Sequence, residues 1–299
     1  MENMENIEST ENETCSSIKV AKVEETIAKK YEFTKDIIRH NGHTLHRIKA
    51  LKDFLTVKKG DLGGWIEREY NLSQESDCWV FNEAKVYGNA RISRDSYIYN
   101  NVEVFGRAKV YDNVEITNNV KVYEDAEIYK DVQIIQNSKI HGYAIIHDSA
   151  EIGWNSEIFG HAEIFGMVVI WDSAKIEGYT KISGCAFVRN NAQVYGNAII
   201  NGNVKIKDNA KVFGNAIIAN NFKFFDKEQI NILGNSMVYE HAKVSDSATI
   251  NNNARIYQHA IIKGHTNISD NAHIRGHVII KGDTKIFGNA IINGYTKNN

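Results

Sequence analysis

The chain has 299 residues, 42% of them hydrophobic, with 35 Lys and Arg against 37 Asp and Glu, for a formal net charge of −2. That balance excludes a disordered chain and argues against a strongly basic nucleic-acid binder. No apolar run approaches the roughly 20 residues of a membrane helix, so no membrane partner is expected.

Residues 1–16 open as MENMENIESTENETC, acidic, of low complexity and unlike a signal peptide. The segment from Ser16 to Lys30 reads either as a short amphipathic helix with a Ser cap or as a linker. Cys15, Cys78 and Cys185 are odd in number and lack CxxC spacing. A reduced, cytoplasmic chain without disulfides, zinc or another cofactor is the expectation.

Residues 31–79 form a separate small unit. Asp36–His40, Asn41-Gly42 and His43–Ile48 read as a β-hairpin on a type I′ turn, followed by a Gly-rich turn and Trp65. This unit is placed to cap an open sheet end, with Trp65 or Trp79 over the core.

From Val80 to the C-terminus the sequence repeats every six residues. Val80, Val86, Ile92, Ile98 and Val104 begin an aliphatic series that runs to Ile218, with Phe224 closing it. After a break at 222–231 the series resumes at Ile232 and ends at Ile292. Two residues before each aliphatic stands a smaller one, as at Ala84, Ala90, Ser96 and Val102. Side chains two apart on a strand share a face, so each hexad is a short strand with a small and a large residue inward. Three residues after the aliphatic, Asn, Asp or His is common, as at Asn89, Asp95 and Asn101. These types tolerate positive φ, so this slot is expected to take a left-handed corner. No proline occurs, where usage of about 5% would give roughly fifteen. A chain made mostly of ladder hydrogen bonds explains the absence.

The motifs VYGNARI and VFGNAII resemble the hexapeptide repeat of left-handed parallel β-helices. That resemblance implies an all-β, left-handed parallel β-helix over 80–299, with three hexads per coil and about 12 coils of roughly 4.8 Å rise. Leu45–Val80, with LHRIKALKDF and GDLGGWIE, is similar to the N-terminal part of β-helix proteins common in phage and prophage genomes. Some bacterial members of that group are labelled putative acyltransferases.

Several features could carry function. Tyr87, Phe105, Tyr123, Phe159, Tyr195 and Phe213 point outward at intervals of 18, with His141 and Glu177 in the same column. Such a column is a partner-binding face or an intramolecular stack. The break, with Phe222, Phe225, Asp226 and Lys227, reads as a swollen coil with two extra residues, functional or merely tolerated. His241, His259 and His277 form a corner ladder that cannot close a metal tetrahedron alone. Asn197, Asn215, Asn235, Asn253, Asn271 and Asn289 read as a structural ladder on another corner.

Hexapeptide acyltransferases, which this coil resembles, use a coil-borne histidine as general base. The candidates here are His147, His161 and His265, and His147 shows no acidic orienter nearby in sequence. Related β-helix carbonic anhydrases bind zinc through three histidines, for which only the loose pair His273 and His277 is visible. The expectation is a non-catalytic phage-type scaffold that binds a host protein or ribonucleoprotein, in its narrowest form an anti-CRISPR-like inhibitor of a host defence complex. The alternatives are an acyl-CoA-dependent transferase and a structural phage component. A homodimer through the uncapped C-terminal end is expected from its open strand edges.

Overall fold

The computed structural model describes residues 28–220 and 228–294. The acidic tail, most of the Ser16–Lys30 segment, and Phe222, Phe225, Asp226 and Lys227 lie outside the described residues. From Trp79–Val80 to Ile291–Gly294, 35 strands of two to four residues wind into a β-solenoid of about 12 turns. They stack as three parallel sheets, here called the first, second and third faces in the order the chain visits them from Lys85–Val86. Each strand pairs with the one 18 residues on, as Val122 does with Ile140 and Ile140 with Ile158. Among the described residues only a single 3-10 turn, Glu69–Asn71, is helical, and no helix is long and apolar enough to cross a membrane.

The hexad explains the wall. Up to the last coil the aliphatics are buried, Ile128, Ile146, Ile164 and Ile182 among them, and the small residue two before each lines the same interior; in the last coil Ile280 and Ile292 are only partly buried. Burying an Ile side chain contributes about 1.5–3 kcal/mol, so every rung adds its own increment.

The corners depart from expectation. The left-handed residue is the second after the aliphatic, at Arg94, Asn100, Glu124, Lys130 and Asp172, with Gly at many other corners. The third position joins it at only four corners, Asn113, Asn119, Asn137 and Asn155. Asparagine recurs in the third position for another reason: its amide donates to the amide oxygen one coil on. Asn101 to Asn119 to Asn137 runs at 3.1 Å per step. Asn191, Asn209, Asn235, Asn253, Asn271 and Asn289 form a second run at 3.0–3.2 Å.

The break is also larger than two residues. Ile206 pairs with Ile232, and Val212 with Val238, a step of 26 residues instead of 18. Eight residues are therefore extra to that coil; Phe224 lies outside the described residues. The phase shift moves Asn235 to the column of Asn209, while Asn197 and Asn215 stay together on a different corner.

At the N-terminal end, β1 (Tyr31–His40) and β2 (His43–Ala50) form an antiparallel hairpin. Its turn, Asn41 at φ 49° and Gly42 at φ 83°, has the positive dihedrals of type I′. β3 (Leu62–Ile66) pairs antiparallel with β2 and parallel with Lys85–Val86, so the hairpin extends the first face. Trp79 is buried over the core end between Tyr31 and Phe54. Trp65 instead faces outward, in a small cluster with Leu45 and Tyr87.

The first coil has no coil before it, and two polar side chains take that coil's place. Lys30 is fully buried and its Nζ donates to the carbonyls of Cys78 at 2.8 Å and Ser76 at 3.0 Å. Buried Asn71 donates to the Ala90 carbonyl at 2.8 Å. Orphan carbonyls that the repeat would leave at its edge are thereby satisfied.

Candidate functional site

The outward aromatic column is an intramolecular stack. Tyr87 and Phe105, and Phe105 and Tyr123, have ring centroids 5.0 Å apart; Tyr123–His141 and His141–Phe159 follow at 4.6 and 4.9 Å. All four pairs are within 5° of parallel, because side chains in one column repeat with the coil. Glu177 interrupts the stack, which resumes at Tyr195 and Phe213, 4.7 Å apart. Tyr239 and Tyr257 continue it, and sequence reading missed them because the true step across the break is 26 residues. Tyr87 is buried and the other five candidates are half-buried, so the column offers ring edges, not faces.

At its N-terminal end the column meets the hairpin tip in a groove of about 450 Å³. Tyr87, Phe105 and His43 line one side; Arg107, Glu124 and Asp125 line the other. Gly88 and Gly106 turn the corner between them. Arg107 grips Asp125 through two hydrogen bonds of 2.5 and 2.6 Å.

Two histidine–carboxylate pairs hold the tip over this groove. His43 Nδ1 lies 3.0 Å from Glu67 Oε2, and the same oxygen accepts the Gly88 N–H at 2.7 Å. His40 Nε2 lies 2.9 Å from Glu103 Oε2, which also accepts the Tyr87 hydroxyl at 2.9 Å. Asn41 Nδ2 donates to the Tyr87 oxygen at 3.2 Å. Burial opposes ionisation of both carboxyls. The Gly88 N–H and His43 outweigh it at Glu67, and His40 and Tyr87 at Glu103, so both sit below the usual carboxylate range. Burial raises the Tyr87 hydroxyl. None of these pairs was legible beforehand, since each joins strands 24 or more residues apart.

A pH dependence follows. Both carboxyls titrate lower in the folded chain than the ordinary 4.5. Their stabilising contribution is thus complete above that value and is lost as pH falls through the folded values. Amide exchange across Tyr31–Ala50 is expected to accelerate selectively as the pH is taken down from 4.5. Uniform acceleration along the whole tube would refute this assignment.

The remaining histidines are dispersed. His147, on the second face, is stacked between Tyr129 and Phe165 at 4.9 and 5.2 Å. It does have acidic neighbours: Asp148 at 3.3 Å and Glu163 at 4.0 Å. Glu163 comes from the next coil, which sequence proximity does not reveal. His161 stands at an exposed corner between Tyr143 and Tyr179, and His265 at a different exposed corner. The three occupy separate columns and do not converge. His241, His259 and His277 stack at 5.0 and 4.6 Å. Among the described residues no group of three or more His, Cys, Asp or Glu is placed to hold a metal ion.

Coils, rungs and corner ladders together define a β-helix repeat protein. Residues 192–205 match the family described as YdcK Beta solenoid repeat. Over 50 residues the chain is 46% identical to a protein of Escherichia coli (strain K12) named "Uncharacterized acetyltransferase YdcK". The match covers 16% of this chain and 15% of that relative.

Proposed function

We propose that this protein is a non-catalytic, phage-type β-solenoid scaffold that binds a host macromolecule at the hairpin groove. The observation that supports the reading most is the placement of Tyr87 and Phe105. Two of the outward aromatics line a groove whose other wall carries the Arg107–Asp125 pair. Aromatic side chains in a pocket with charged rims are the usual anchors of macromolecular recognition. A hydrogen-bonded tube also loses little conformational freedom on binding. The resemblance of Leu45–Val80 to phage and prophage proteins supports the narrower form. In it the partner is a host defence protein or ribonucleoprotein of the cytoplasm, inhibited in the manner of an anti-CRISPR.

The test is an affinity pull-down from a bacterial lysate, followed by Phe105→Ala/Tyr123→Ala. Tyr87 is left intact because it also docks the hairpin. The double variant is expected to weaken partner binding by about 2 kcal/mol or more while leaving the far-UV circular dichroism unchanged. Undiminished capture would reduce the column to scaffold.

A second reading, an acyl-CoA-dependent transferase, is favoured by the printed name of the E. coli relative and by one local arrangement. His43, oriented by Glu67 at 3.0 Å, is the best-formed candidate base beside a groove. Calorimetric titration with acetyl-CoA separates the two: the scaffold reading expects no heat of binding, and micromolar affinity would replace it.

A further inference from the structure

Twelve large hydrophobic side chains are exposed among the described residues. Four belong to the cap and three to the last coil. The other five, Tyr143, Ile145, Met167, Tyr179 and Ile199, are the ones on the tube wall between those ends, and all five sit on the second face or its two corners. They span only four coils. The equivalent outward column of the first face carries Lys139, Glu157, Lys175 and Gln193 over the corresponding stretch. A confined patch of exposed apolar side chains on the tube wall marks an interaction surface.

The order of residues on that patch identifies the occupant. Along the second face the outward column reads Ile145, Glu163, Lys181, Ile199 on adjacent strands. Apolar, acid, base, apolar is complementary to itself when reversed. We propose that this face is a two-fold interface with a second copy of the chain, packed antiparallel. The axis runs between the rungs of Glu163 and Lys181. Glu163 then meets Lys181 of the second copy, and Ile145 meets Ile199, twice each. At the flanking corner the column Tyr143, His161, Tyr179, Asn197 sets His161 against Tyr179 and Tyr143 against Asn197. An isologous contact requires this reciprocity.

Two physical features favour this partner. A second copy has the same coil rise of about 4.8 Å, so contacts in register at one rung stay in register at all four. The Glu163 and Lys181 side chains already pair within the chain at 2.6 Å, so the interface gathers a four-membered alternating charge cluster and buries no lone ion. The flanking corner column continues from the Arg107–Asp125 pair of the hairpin groove, one coil before Tyr143, but the inference does not rest on the reading of that groove.

Sedimentation equilibrium of the full chain decides it. The 33.8 kDa chain is expected to run as a dimer at about 50 µM. Glu163→Lys places like charges across the axis and is expected to weaken the dimer about tenfold or more. Glu163→Lys/Lys181→Glu restores both pairs and is expected to restore association. In a Cys185→Ser background, oxidation should cross-link Ile145→Cys/Ile199→Cys and neither single variant. A monomer at that concentration overturns the proposal. So does a dimer indifferent to Glu163→Lys and to Ile145→Lys/Ile199→Lys, since association would then use another surface.

Discussion

Replacing Ile164 with alanine is expected to cost about 3–4 kcal/mol, within the range for truncating a buried aliphatic. Ile164 is fully buried and paired on both sides, with Ile146 above and Ile182 below. Those neighbours are fixed by ladder hydrogen bonds to their own coils, so they cannot move into the space. A cavity that cannot collapse falls in the upper part of the range. The same change at Ile280 is expected to cost about half as much or less. Ile280 occupies the last rung of its sheet and is only partly buried. Urea unfolding followed by far-UV circular dichroism measures both. Equal losses at the two sites would mean that the rungs do not act as separate increments.

Lys30→Met carries the second large effect. The ammonium serves the Cys78 and Ser76 carbonyls at the N-terminal edge, where no preceding coil supplies a donor. Each buried carbonyl left without a donor costs about 1–3 kcal/mol, and relief from burying a charge offsets part of this. A net loss of about 2–3 kcal/mol is expected, confined to the cap. Hydrogen exchange read by mass spectrometry should show residues 31–80 opening sooner, with the coils beyond Ile140 unchanged. Unaltered exchange in the cap would show that water replaces the lysine without penalty.

The coil itself was legible because its physics is local. Two inward positions and one turn per hexad leave a period that no other fold requires. What escaped the sequence depends on partners a coil or more away. The length of the break is one case: the hexad count suggests two extra residues, and only the pairing of Ile206 with Ile232 shows a step of 26. Asn was read as a dihedral preference and, from Asn197 on, as a ladder; the amide ladders between coils are present, but the left-handed residue stands one place earlier. His43 and Glu67, or His147 and Glu163, meet because strands distant in sequence lie side by side. Lys30 looks like any polar residue until the missing coil it replaces is known. The outward aromatics were visible as a column, but their mutual coverage was decided by near-parallel stacking at about 5 Å, close to the coil rise.

The uniform step of 18 residues makes the wall a graduated scale. Adding or removing one whole coil changes the length by about 4.8 Å and returns every later side chain to the same face. The distance from the hairpin groove to any feature farther along can thus be reset in fixed increments without disturbing its bearing around the axis. Surface features on this tube behave as marks on a ruler, each with an integer coordinate. The eight-residue addition near 220–228 keeps that calibration, because pairing recovers the same three faces on its far side.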